Sequence, residues 1–169
     1  LFDDYIEAHL HTPAVISAAL IVYGIAFIVI ENWNKKRTPV IADLKDITYR
    51  TAFLIGLFQV LSIIPGTSRS GATIVGALLI GVSRVAAAEF TFFLAVPVMF
   101  GLSAIKILKF GFSFTGEELL VLGIGTVVAI AVSVLVIKFL MGYIKKHDFK
   151  VFGWYRIALG LLVILLMVL

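Results

Sequence analysis

Residues 63–76 read IIPGTSRSGATIVG, an arginine flanked by serines and enclosed by apolar side chains. Those residue types at that spacing suit one kind of chemistry, the gripping of an anion. The Arg69 guanidinium carries five donors in a planar fork that matches phosphate or carboxylate. Thr67, Ser68, Ser70 and Thr73 add hydroxyls, and Gly66 and Gly71 let backbone N–H groups approach a ligand. A helix starting near Ser70 aims its positive end at the same place. Backbone, dipole, hydroxyls and guanidinium together make a phosphate cradle. The plain alternative is a structural ion pair between Arg69 and a carboxylate on another helix. Only Glu89 lies inside an apolar run, near its start, and it is expected to pair with Arg84 instead. An arginine at the bilayer centre costs about 2.5–3.5 kcal/mol on insertion scales, and such residues are functional by default.

The elements that must hold this loop follow from composition. The chain has 169 residues, of which 62% are hydrophobic and 14% charged, with a mean hydropathy of +1.13. A soluble domain of that size needs far more polar cover. Apolar runs recur from end to end, so the sequence reads as an all-α polytopic membrane protein forming a single membrane domain over 1–169. Four runs suit transmembrane helices of about 20 residues: 13–30, 90–105 with a kink expected at Pro97, 119–137 and 152–169. Residues 51–64 and 71–82 are too short to cross, and the Pro-Gly-Thr-Ser-Arg-Ser-Gly between them breaks a helix. Pro65 ends the first run, and Ser68 or Ser70 can cap the second. Residues 51–82 are therefore expected to form a re-entrant helix–loop–helix hairpin. Half-helix N-termini aimed at a midplane site are a recurrent device in membrane proteins.

Charge sets the orientation. The connector 31–50 and the turn 142–150 are rich in Lys and Arg, whereas in 109–118 Lys109 is balanced by Glu117 and Glu118. With a re-entrant hairpin both basic loops and Arg84 fall on one face, which the positive-inside rule makes cytoplasmic. Basic residues that flank apolar spans argue against a nucleic-acid partner. There are no cysteines, which excludes disulfides and thiolate metal sites. His9, His11 and His147 read as loop residues without ligand spacing. Gln59, on the first half-helix, is read either as a hydrogen bond between packed helices or as part of the site. Gly76, Gly81, Ala86, Ala87 and Ala88 are expected to serve helix packing. The opening LFDDYIEAHLHT begins with Leu1 and has neither a basic n-region nor an apolar h-region. It does not read as a signal peptide, and the chain is expected to begin partway through a longer protein.

The segment PGTSRSGAT (65–73) resembles the second signature of the bacterial undecaprenyl-diphosphate phosphatases, the bacitracin-resistance proteins, with its pattern P-G-x-S-R-S-x-x-T. The surrounding residues to Gly101 look like that family too, including Ser83-Arg84 and Ala95-Val96-Pro97, and the resemblance runs from about residue 13 to the end. It implies hydrolysis of undecaprenyl diphosphate to the monophosphate, which recycles the carrier lipid of cell-wall synthesis. It also implies two inverted repeats, each with a re-entrant helix pair, in the bacterial plasma membrane, with a site open to the outer face. Carried over residue by residue, Arg69, Ser68 and Ser70 are the candidate catalytic residues. Gly66, Thr67, Gly71, Thr73 and Gln59 are the candidate substrate-binding residues, and an apolar groove beside the hairpin would hold the prenyl chain. The family's first signature, E-x-x-x-E followed by a P-x-S-S-x-G-H loop, is absent here, and Gln59 cannot act as a base. The expectation is thus the C-terminal half of the enzyme. It would hold no cofactor itself, while the base and any divalent-metal ligands lie on a missing N-terminal half or a second copy. Half of a lipid-phosphate or anion transporter, or a scaffolding membrane module, are the rival readings.

Overall fold

Thr12 accepts a hydrogen bond from the Val15 N–H (3.3 Å) and Pro13 occupies the first helical position, so the first helix begins where the apolar run begins. The computed structural model describes residues 10–35, 37–111 and 114–168. The readings of residues 1–9, His9 and Lys36 lie outside them. Six α-helices follow in order: α1 (Pro13–Asn34), α2 (Tyr49–Val60), α3 (Arg69–Ile80), α4 (Arg84–Phe110), α5 (Gly116–Ile144) and α6 (Lys150–Val168). Short 3-10 turns lie at Leu44–Asp46 and Leu61–Ile63. Among the described residues no strand forms; a single isolated bridge joins Ile41 to Val82.

Helices α1, α4, α5 and α6 are long and apolar enough to cross a membrane. The two halves of the hairpin have 12 residues each, about 18 Å of rise, well short of a hydrocarbon core of about 30 Å. Both ends of the hairpin return to one end of the bundle. There the Val40 and Ile41 N–H groups donate to the Gly81 carbonyl (2.9 and 3.2 Å), and the Ser83 N–H donates to Ile41 O (2.8 Å). The Ser83 hydroxyl also donates to Ala42 O (2.6 Å). Gly81 closes α3 in the left-handed region, at φ 99°, where a side chain is disfavoured. Its role is thus a helix stop rather than the helix packing expected for it.

Some boundaries differ from the sequence reading. α4 begins six residues before Phe90, because Ser83 caps it by accepting from the Ala86 N–H (3.2 Å). It continues unbroken through Pro97. α5 reaches from Gly116 to Ile144, started by a capping box in which Thr115 and Glu118 satisfy each other's backbone N–H groups.

Packing is closest between α1 and α6. A Cβ on Gly24 would lie 2.7 Å from Gly153 O, and one on Gly160 would lie 3.0 Å from Ser17 O. Missing side chains thus let the two backbones touch, the small-residue packing of membrane helices. Gly76 does the same in the hairpin, where the Phe58 ring fills the space of its absent Cβ. Ala86, Ala87 and Ala88 are buried under α3. By contrast, α5 is exposed from Gly116 to Phe139, an apolar surface that needs lipid or protein around it.

Charges tie the basic end together. Glu31 is 0% exposed and accepts from Arg84 Nε (2.8 Å) and Nη2 (2.6 Å) and from the Phe149 N–H (3.1 Å). One carboxylate thereby joins the end of α1 to the starts of α4 and α6. The partner of Arg84 is therefore Glu31 and not the expected Glu89, because Glu31 continues α1 for one more turn and points into the bundle.

Candidate functional site

The loop between α2 and α3 is shaped by a few local contacts. The Thr67 N–H donates to Ile64 O (3.0 Å), closing a turn around Pro65 and Gly66. Gly66 has φ 88°, and a Cβ there would come within 2.5 Å of Ile16 O on α1. Both the angle and the contact require glycine. Ser68 is the N-cap of α3, accepting from the Gly71 N–H (3.2 Å), and its hydroxyl lies 3.0 Å from that of Ser70. The N–H groups of Arg69 and Ser70 precede the first intrahelical bond and leave the positive end of α3 open.

α3 runs beside α1 in the same direction. Gly71 packs by the Phe27 ring, and two turns on the Asn34 amide donates to Leu78 O (3.3 Å). Arg69 therefore lies one full α3 length from the basic end, about 18 Å. Beside Gly71, α6 brings up a second guanidinium. A Cβ on Gly71 would lie 3.2 Å from Arg156 Nη2 and 3.3 Å from Phe27 Cε2, and Arg156 rests 5.5 Å from the Phe27 ring centroid. Gly71 is helical, so its absent side chain serves this close approach and not an unusual backbone angle.

Two polar atoms at the loop have no hydrogen-bond partner although they are buried: Thr67 Oγ1 and Arg69 Nη1. Tyr23 of α1 lies beside Thr67 and within electrostatic reach of Arg156, without closing a bond to Thr67 Oγ1. Among the described residues no carboxylate lies within ion-pair distance of Arg69 or Arg156, whereas Arg84 is neutralised in place. An unneutralised guanidinium, an open helix N-terminus and an unpaired hydroxyl thus lie together in residues 67–70, with the second unneutralised guanidinium of Arg156 beside Gly71, and an anion with several acceptor oxygens would satisfy such donors. Behind Gly71 a cavity of about 110 Å³ is lined by Ser70, Phe27, Ile74, Phe92, Phe152 and Arg156. α2 exposes Phe53, Leu57 and Val60, and the turn after it exposes Leu61.

Of the residues singled out in the sequence, Gly66, Thr67, Ser68, Arg69, Ser70 and Gly71 form this constellation. Thr73 faces away from it, 1% exposed. Its hydroxyl donates to Arg69 O or Ser70 O (3.1 and 3.0 Å) and pairs with Thr91 Oγ1 of α4 (3.0 Å), so it fixes the first turn of α3 from behind. Gln59 is half-buried on the last turn of α2. Sequence reasoning missed Arg156. The signal was present, since an arginine seven residues into the last apolar helix carries the same insertion cost as Arg69.

Comparison with known proteins identifies the family. The family described as bacitracin resistance protein BacA matches residues 1–162. A protein of Enterococcus faecalis named undecaprenyl-diphosphatase is 75% identical over 166 residues, 98% of this chain and 60% of the relative. Proteins of the same name from Desulfitobacterium hafniense and Lachnoclostridium phytofermentans are 64% and 62% identical, over 98% and 96% of this chain and 60% and 59% of the relatives. The chain spans about three fifths of the length of these curated relatives. With nearly its whole length matched by one family, and with the loop and four apolar helices described above, the chain is a multi-pass membrane protein that belongs to the bacitracin resistance protein BacA family.

Proposed function

We propose that this chain supplies the phosphate-gripping part of an undecaprenyl diphosphatase, which hydrolyses undecaprenyl diphosphate to the monophosphate and inorganic phosphate. The observation that carries the reading is Arg69. Its Nη1 is buried without a partner beside the open N-terminus of α3, a state that a multi-oxygen anion would relieve. The names of the similar proteins supply the substrate class.

In the reaction a water oxygen bonds to the terminal phosphorus and the bridging P–O bond breaks. The lipid keeps one phosphate and the other leaves. Arg69 and Arg156 hold the diphosphate from two sides, and the N–H groups of Arg69 and Ser70 stabilise charge on its oxygens. Ser68 and Ser70, 3.0 Å apart, orient the phosphate by donating to it. The prenyl chain lies along the apolar outer face of α2. Residues 61–76 contain no Asp, Glu or His, so the proton is taken by a base from the rest of the assembled enzyme, a first repeat or a second copy. The loop's donors also do not fit a divalent ion, which wants carboxylate or imidazole. A divalent ion therefore has no place in this loop, and any such ligands belong to that other part. The basic end faces the cytoplasm, so the loop opens toward the outer side of the bacterial plasma membrane. The hairpin is re-entrant.

The test is phosphate release from a polyprenyl diphosphate by the assembled enzyme, wild type and Arg69→Ala. Release that depends on Arg69 supports the reading. Movement of the lipid phosphate across liposomes without release of inorganic phosphate would favour transport instead.

A further inference from the structure

At the opposite end of α3 from Arg69 lies a cavity of about 670 Å³, walled by the end of α1 and its connector, the α3–α4 turn and the α5–α6 turn. Among the described residues five cations line it, Lys35, Arg37, Arg84, Lys145 and Lys146, against a single carboxylate, Asp148. Glu31 neutralises Arg84 from behind, and Lys35 lies 3.9 Å from Asp148. Among the described residues, Arg37, Lys145 and Lys146 have no carboxylate within 4.0 Å. Val40 and Leu79, both exposed, add apolar side chains to the lining. Arg37 stacks 4.1 Å above the Trp33 ring, and tryptophan at the end of a spanning helix marks the headgroup level of a bilayer. The cavity therefore combines cationic and apolar lining and is placed where lipid headgroups lie.

We propose that this cavity binds the headgroup of an anionic phospholipid. The phosphodiester lies toward Arg37, Lys145 and Lys146, and the upper acyl chain lies against Val40 and Leu79. The apolar lining favours a lipid over a free anion, which would gain nothing from it. Basic pockets between membrane helices on the cytoplasmic side take phosphorylated headgroups by this combination. The inference does not depend on the reaction proposed above.

The chain has two tryptophans, Trp33 and Trp154, so Trp154→Phe leaves Trp33 as a reporter next to the cavity. This chain carrying that change is reconstituted with brominated phosphatidylglycerol or brominated phosphatidylcholine, and quenching of Trp33 is titrated. The expected result is a severalfold preference for the anionic lipid. Lys145→Gln with Lys146→Gln should lower that preference, by up to about fivefold per basic side chain. Arg37→Gln, a second route, should lower it without touching the α5–α6 turn. Lys106→Gln with Lys109→Gln, at the other end of the spans, should leave it unchanged. Equal quenching by both lipids overturns the proposal, as does a preference that survives both sets of changes in the cavity. Relief of quenching by millimolar glycerol phosphate or inorganic phosphate would show a free-anion site and overturn the lipid assignment.

Discussion

Replacing Glu31 by glutamine tests the clasp at the basic end. The change keeps the size and one acceptor for the Phe149 N–H but removes the charge that holds Arg84 at 2.6–3.0 Å. Losing one partner of a buried ion pair costs about 3–5 kcal/mol. Arg84 retains 35% of its side-chain surface, so water takes up part of its charge and about 2–3 kcal/mol is the expected loss. For a chain of this length that is a fall in Tm of about 4–12 °C, measured by thermal unfolding in detergent. Adding Arg84→Gln removes the stranded charge and should recover at least about 1 kcal/mol, a coupling visible in the double-mutant cycle. An unchanged Tm for Glu31→Gln, or strictly additive effects of the two changes, would refute the clasp.

Thr73→Val removes the buried hydroxyl pair with Thr91 and should cost about 0.6–1.7 kcal/mol, the range for such bonds between membrane helices. Thr73→Ser should be nearly neutral in the same unfolding assay. Arg156→Gln should raise KM for the diphosphate at least about tenfold with a smaller change in kcat, because it removes a charged grip on bound substrate. An unchanged KM in steady-state kinetics would take Arg156 out of the site. A cysteine at Glu117 should react with an impermeant thiol reagent in intact cells, and one at Lys145 should not; the reverse labelling would invert the topology.

Much of this was legible before any coordinates. Hydropathy and length together separate the four helices long and apolar enough to cross a membrane from the two apolar helices of 12 residues. The loop was legible because Pro, Gly and flanking serines state where one helix stops and the next is capped. The contacts that cross between helices were not. Glu31 and Arg84 are 53 residues apart, and nothing local tells Arg84 to prefer Glu31 over the nearer Glu89. Thr73 has the same residue type as Thr67, yet its place in the first turn of α3 turns it toward Thr91 rather than the loop. The sequence reads Gly71 as an opening for backbone N–H groups toward a ligand, and only the approach of α6 shows that its absent side chain makes room for Arg156.

The central claim is that Arg69 grips a diphosphate through its planar fork. The direct test is the affinity of the assembled enzyme for a prenyl methylene-diphosphonate, which cannot be hydrolysed, with Arg69, Arg69→Lys and Arg69→Ala. Loss of a charge-assisted bidentate contact is worth about 1.5–3 kcal/mol, so Kd should rise at least about tenfold for alanine. Lysine should be nearly as weak, since a point charge does not reproduce the fork. A Kd that stays at the wild-type value in Arg69→Ala would contradict the account, and a lysine variant that binds as tightly as arginine would contradict the bidentate grip.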